Sequence, residues 1–231
     1  MDPLNLAYSR LEKIAKKYRN ELERMGVVGV KLSGSIARGT FFYQIFDFGD
    51  EKIEVCSDYD IVLAVERPLT PEKVERLVEI FSEEQFPDNS LEKILIKNMD
   101  IKAYATTLEA CDGPSRRYVI DPLDTKGKGL ARHGVGGKVV YGEEHFRKIE
   151  NMIEELDPKW RTRTLEEIER RSVYVQGLFR LGKIYRIARI TGKGLEKVKE
   201  AMKKLKNFRS GNLRPEEVKE VIEEVEKAVY L

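Results

Sequence analysis

The chain has 231 residues, enough for one large or two small domains, and 35% of them are charged. Lys and Arg number 42 against 40 Asp and Glu, so the net charge of +2 does not indicate a strongly charged partner. Cys56 and Cys111 are too few for a disulfide framework, and no apolar run reaches membrane-span or signal-peptide length, so we expect a cytoplasmic protein without membrane contact.

The N-terminal region has a helical pattern followed by an extended one. Apolar residues at helical spacing, with Lys and Glu between them, predict one amphipathic helix over residues 3–25 that ends at Gly26. The apolar run from Val27 to Leu32 predicts a short buried strand. Residues 34–39 then form a predicted turn that opens a helix.

Residues 41–56 are predicted to form an inserted β-hairpin. Their polarity alternates weakly, and Gly49-Asp50 is a turn signal. The aromatic side chains of this segment can line a ligand pocket, pack the hairpin onto the rest of the protein or form a homodimer contact. Packing is the commonest use of such clusters.

Further predicted strands and a helix follow the hairpin. Residues 58–65 and 99–105 are predicted strands, and residues 94–96 are assigned to another short strand. Thr70-Pro71 is a typical start for a helix, here over residues 71–85. The order of elements predicts an α/β (α+β) fold with a small mixed sheet.

Residues 125–137 are rich in Gly and Lys and contain His133. They lack the P-loop pattern, so two interpretations stay open: a basic loop that closes over phosphates, and an exposed linker. His133 is a further candidate for phosphate contact, although a lone histidine in such a loop is more often simply exposed. Residues 138–142 predict a short strand, and residues 143–155 predict a helix.

The C-terminal part is predicted to be helical. Helices are expected over residues 164–191, 195–208 and 215–230, with Gly-rich breaks between them, which suits a helical bundle. We therefore expect an α/β domain over residues 1–146 and a helical domain over residues 147–231.

The chemistry-bearing residues cluster around the predicted strand at 58–65. Asp58 and Asp60 are two residues apart, so in a strand they project from one face, where their like charges repel unless a cation lies between them. Mg²⁺ takes such oxygen ligands and shares them with substrate phosphates. Gly34-Ser35 follows a strand and opens a helix, where free backbone N–H groups favour an anion.

Gly-Ser after one strand and Asp-x-Asp on the next resembles the signature of the DNA polymerase β-like nucleotidyltransferase superfamily. The resemblance covers roughly residues 25–107, and a looser match extends it to about residue 146. A third acid on a later strand belongs to the pattern, and Asp100 has that position. The sequence departs in spacing, because 22 residues separate Ser35 from Asp58, whereas the family has about a dozen or fewer.

The resemblance implies a nucleotidyltransferase core that uses two Mg²⁺ or Mn²⁺ ions. Asp58 and Asp60 would bind the ion that carries the triphosphate, and Asp100 would bind the second ion or act as the base. Gly34 and Ser35 would hold the β- and γ-phosphates.

Other charged residues are predicted around this core. Arg38 would neutralise the phosphates. Glu143 and Glu144 are further candidates for an acceptor-side base, although acidic residues are also simply favoured at a helix start. Ordinary structural roles remain alternatives for the core residues too: a strand-end position for Asp58, a surface position for Arg38, and an ion pair of Asp100 with Lys97 or Lys102.

The predicted activity is transfer of an NMP, most readily AMP from ATP, to a hydroxyl of a protein or small molecule. One alternative is a non-catalytic NTP-binding or antitoxin-like regulatory protein that keeps the fold. Another is an enzyme acting on RNA ends, because aromatic and basic residues alternate over 174–189, but this spacing is also that of a packed amphipathic helix. Nucleic acid is therefore not the favoured partner.

Overall fold

The structure is a computed structural model that describes residues 2–107, 119–120, 136–156, 158–206 and 214–231. Residues 125–135 of the segment rich in Gly and Lys, with His133, lie outside the described residues. The chain forms two compact units. The first consists of residues 1–41 and 57–165, and the second consists of residues 42–56 and 166–231.

The helices and strands are α1 (Pro3–Lys17), α2 (Arg19–Met25), β1 (Val27–Leu32), α3 (Gly34–Ala37), β2 (Tyr43–Asp47), β3 (Lys52–Cys56), β4 (Tyr59–Val65), α4 (Pro71–Ser82), α5 (Ser90–Lys97), β5 (Met99–Ala105), β6 (Val119–Ile120), β7 (Lys138–Tyr141), α6 (Glu143–Leu156), α7 (Trp160–Thr191), α8 (Leu195–Lys206) and α9 (Pro215–Tyr230). Among the described residues no helix is long and apolar enough to cross a membrane.

The first unit is built on a mixed sheet with the strand order β6-β5-β4-β1-β7. The central strand β4 is parallel to β5 and antiparallel to β1. All of its residues from Tyr59 to Val65 are buried, because both faces of the strand are covered. The predicted small mixed sheet of an α/β fold is confirmed.

The two faces of this sheet bury different sets of side chains. One face packs on α1, α4 and α5, and its centre includes Leu11, Ile61, Leu63, Phe81 and Leu95. The opposite face packs on α6 and the start of α7 through Val62, Ala64, Tyr104, Phe146, Ile149, Ile153 and Trp160. Successive residues of β4 thus alternate between two cores, as the pleat of a strand requires.

The second unit combines the inserted hairpin with the C-terminal helices. Strands β2 and β3 pair antiparallel, and their aromatic residues share one core with α7, α8 and α9; this core includes Phe42, Phe46, Phe48, Leu181, Tyr185, Met202 and Ile222. Tyr185 Oη donates to the carbonyl of Asp47 at 2.8 Å and accepts from its backbone N–H at 2.7 Å. The packing interpretation of the hairpin aromatics is confirmed.

The compact units differ from the domains expected from the sequence. Helix α6 and residues 158–165 belong to the first unit, which extends past the expected boundary at residue 146. The hairpin, expected as an insert within the first domain, belongs to the second unit. Burial of its aromatic side chains against the helices explains this, because apolar contact rather than chain order decides which unit a segment joins.

Three secondary-structure predictions also needed correction. The single helix over residues 3–25 is two helices, because the backbone leaves helical geometry at Tyr18. Residues 94–96 are helical rather than extended: the side chain of Asn89 accepts from the N–H groups of Leu91 and Glu92 and caps α5. Helix α7 begins at Trp160 rather than at residue 164.

Candidate active site

Two of the predicted acids meet at the start of neighbouring strands. Asp60 of β4 and Asp100 of β5 are direct partners in the parallel ladder, so their side chains lie next to each other on one face of the sheet. Tyr59 points the other way: it is fully buried and its hydroxyl donates to the carbonyl of Ala7 at 3.1 Å. Asp58 is exposed and immediately precedes β4.

Lys102 links the two acids. Its Nζ donates to Oδ1 of Asp60 at 3.2 Å and to Oδ2 of Asp100 at 2.6 Å. The side chain of Lys102 is 20% exposed and that of Asp60 is 10% exposed, so water screens this pair less than a surface ion pair. The predicted alternative for Asp100, an ion pair with Lys102, is observed.

The Asp60 carboxyl is in a buried, charged environment. Burial raises the pKa of its carboxyl above the ordinary value, and the Lys102 ammonium opposes that rise. The negative charges of Asp58 and Asp100 raise the pKa further. A further cation beside these groups would stabilise the ionised form.

Gly34 places its backbone directly against the Asp60 carboxylate. A Cβ at this position would lie 1.8 Å from Oδ2 of Asp60, well inside contact distance. The φ angle of Gly34 is 70°, a left-handed conformation that favours glycine. The N–H of Ser33 donates to the carbonyl of Asp60 at 2.9 Å, which fixes the end of β1 beside this residue.

We expect Gly34→Ala to lower the free energy of unfolding by about 2 kcal/mol or more, because strain at positive φ adds to the clash with Asp60. Gly39→Ala is the matched control: its φ is 71°, but nothing lies within 4 Å of its Cβ position. Urea denaturation of both variants separates the two contributions. If both variants lose the same free energy of unfolding, the contact with Asp60 does not contribute to the loss.

The predicted phosphate-binding residues lie beside this contact. Ser35 is half-buried in α3, and its carbonyl accepts from the N–H and the hydroxyl of Thr40 at 2.9 and 3.0 Å. Arg38 is exposed just after the helix. Helix α3 has four residues, so its dipole is small and any anion contact depends on individual N–H groups.

Three site residues were not singled out as such by sequence reasoning, although their positions in the strands could have identified them. Lys102 and Tyr104 follow Asp100 at two-residue intervals, and Lys31 pairs with Val62 across the β1–β4 ladder, so all lie on the face of Asp60. The Tyr104 hydroxyl is buried without a hydrogen-bond partner among the described residues.

Tyr104 and Lys31 are buried, and burial shifts the pKa of each side chain. Burial raises the pKa of Tyr104, and the charges of Asp60 and Asp100 raise it further. Lys31 is 4% exposed, and burial lowers its pKa while Glu150 opposes the shift.

Glu143 and Glu144 are exposed at the start of α6. Oε1 of Glu143 accepts from Arg147 at 2.9 Å, and Oε1 of Glu144 lies 3.3 Å from Nε2 of His145. These contacts are local to the first turns of the helix. They fit the helix-start interpretation of the two residues.

The donor set limits what ion this face can hold. In the described part of the chain, no group of three or more His, Cys, Asp and Glu side chains is arranged to hold a metal ion. Asp60 and Asp100 are adjacent carboxylates, but the Lys102 ammonium lies between them. Mg²⁺ commonly uses only one or two carboxylates together with substrate phosphates and water. The described residues therefore fit a divalent ion that takes only one or two ligands from the protein.

Comparison with known proteins adds no family assignment, because no protein-family model, curated protein or solved structure matches this chain.

Proposed function

We propose that this protein is a metal-dependent nucleotidyltransferase that transfers an NMP, most readily AMP, from an NTP to a hydroxyl of a protein or small molecule. The observation that carries the proposal is the contact set around Asp60. The backbone of Gly34 lies against its carboxylate on one side, and Asp100 is its ladder partner on the other. The resemblance to the DNA polymerase β-like superfamily depends on these residues.

The spacing of the motif is also compatible with this function. The 22 residues between Ser35 and Asp58 exceed the family's usual separation, but residues 42–56 belong to the second unit. Within the first unit, the Gly-Ser turn and the acidic strand are thus separated by a short connection. The inserted hairpin accounts for the departure without altering the order of the site residues.

The chemistry follows from the acids and the phosphates. The acceptor oxygen forms a bond to the α-phosphorus, the bond from that phosphorus to the bridging oxygen breaks, and pyrophosphate leaves with the electron pair. The hydroxyl proton passes to a carboxylate, a role for Asp100, while Gly34 and Ser35 contact the β- and γ-phosphates. A bound Mg²⁺, with Asp58 and Asp60 as its ligands, would neutralise charge on the phosphates.

One observation favours a second candidate function. Lys102 neutralises part of the negative charge of Asp60 and Asp100. These acids therefore need a catalytic metal ion less, which suits a protein that binds nucleotide without turnover. A non-catalytic NTP-binding or regulatory protein of this fold is therefore the alternative that an experiment has to separate from the enzyme.

A transfer assay tests the proposal. The protein is incubated with Mg²⁺ or Mn²⁺ and each of ATP, GTP, CTP and UTP labelled at the α-phosphate, alone, with cell lysate and with total RNA. We expect label on protein or a small molecule, most strongly from ATP. Label on RNA would instead indicate an enzyme acting on RNA ends. Metal-dependent nucleotide binding without label in any fraction would favour the non-catalytic alternative.

A further inference from the structure

Lys102 occupies the space between the two acids that meet in the sheet. Its ammonium lies within hydrogen-bond distance of one oxygen of Asp60 and one oxygen of Asp100. A divalent ion bridging these same oxygens would lie within a few ångströms of Nζ, where two positive charges repel strongly in a partly buried site. Lys102 and a bridging ion therefore exclude each other at this position.

The surroundings of Lys102 hold it in place. On the same face of the sheet, the neighbouring side chains further along the strands are Val62 and Tyr104, which belong to the apolar cluster under α6. The ion-pair partners of Lys102 among the described residues are the two acids. The Lys102 side chain is 20% exposed, and moving its ammonium along the strand would replace both carboxylates with apolar contacts, which is unfavourable.

We propose that Lys102 provides the second positive charge of the site, so that the protein uses one divalent ion with this ammonium instead of two ions. This inference rests on the proposed function. Asp58 and Asp60 would hold the single ion together with the nucleotide phosphates. Asp100, kept in position by Lys102, acts as the base that takes the acceptor proton and is not a metal ligand.

The number of bound ions tests this arrangement without requiring turnover. Mn²⁺ is titrated into the full-length protein with saturating ATP analogue that has a methylene group between the α- and β-phosphorus. Loss of the free-ion electron paramagnetic resonance signal counts bound ions after subtraction of the protein-free nucleotide titration. We expect a plateau at one ion per protein–nucleotide complex.

Substitution of Lys102 should change this count. Lys102→Met keeps the unbranched stem and removes the charge, so a second ion is expected to enter and raise the plateau to two. Lys102→Arg keeps the charge and should hold it at one. Lys93→Met is the matched control, because Lys93 is exposed on α5 and its loss removes the same charge.

The outcomes separate this inference from the proposed function. Two ions in the unsubstituted protein, or one ion in a folded Lys102→Met variant, would overturn the role of Lys102 even if label transfer is observed. The unsubstituted protein alone decides the matter if that variant does not fold. Absence of both label transfer and Mn²⁺-dependent nucleotide binding would instead remove the proposed function, and this inference with it.

Discussion

Asp60→Asn is expected to reduce nucleotide transfer by more than about 100-fold, because even residues that only support metal ligands contribute roughly 10–100-fold to metal affinity or activity. The substitution keeps the shape that packs against Gly34 and removes the charge. Lys102 retains Asp100 as a partner, so we expect a folded protein. Transfer of α-phosphate label and thermal unfolding are measured on the same preparations.

Asp58→Asn should cause a loss of similar size for a different reason. Asp58 is exposed, so its loss should change stability much less than it weakens metal-dependent binding of the nucleotide. Asp88→Asn is the control, since Asp88 is an exposed acid in the loop between α4 and α5. Undiminished turnover in both Asp58→Asn and Asp60→Asn would exclude the proposed chemistry.

The elements that sequence analysis predicted correctly have local signals. Val27–Leu32 and Tyr59–Val65 are short apolar runs buried in the sheet, and the hairpin contains the turn signal Gly49-Asp50 between alternating residues. Helix α9 begins at Pro215, whose missing N–H costs nothing in the first turn. In each case a few adjacent residues determine the conformation.

The errors arise where tertiary contacts compete with local preference. The run Ile94-Leu95-Ile96 favours a strand by composition, but α5 is fixed by its Asn89 cap and by burial of Glu92 against α1. The hairpin's membership of the second unit depends on contacts with residues more than a hundred positions away, such as Tyr185. No short sequence window contains this information.

Sequence analysis named three acids for the candidate site, but it did not include Lys102 among the site residues. The two-residue spacing of Asp58 and Asp60 indicated a shared face, and the position of Asp100 on a later strand indicated a third acid. The parallel register that makes Asp60 and Asp100 neighbours is a property of the sheet alone. The Lys102 bridge depends on that register, so the sequence named Lys102 only as one of two ion-pair candidates.

Glu92→Gln is expected to lower the free energy of unfolding by about 3–5 kcal/mol, the cost of leaving one member of a buried ion pair without its partner. Glu92 and Arg10 are both fully buried, with 3.0 Å between Oε1 and Nε. The Glu92 carboxylate also accepts from the N–H groups of Gln85 and Phe86 at 2.7 and 2.6 Å. Arg10 of α1 also donates to the carbonyls of Phe81 and Glu83. The ion pair and these hydrogen bonds therefore connect α1 to the end of α4 and to α5.

Urea denaturation measures this effect, and Glu84→Gln is the control because Glu84 is an exposed acid in the same connection. The control should change stability by less than about 0.5 kcal/mol.

The double variant Arg10→Met with Glu92→Met should be more stable than the variant with Glu92→Gln alone, since it leaves no uncompensated buried charge. If all three variants unfold at the same urea concentration, the pair does not anchor α1. Attachment of α1 to the sheet would then depend on apolar packing and on the hydrogen bond from Tyr59 to Ala7.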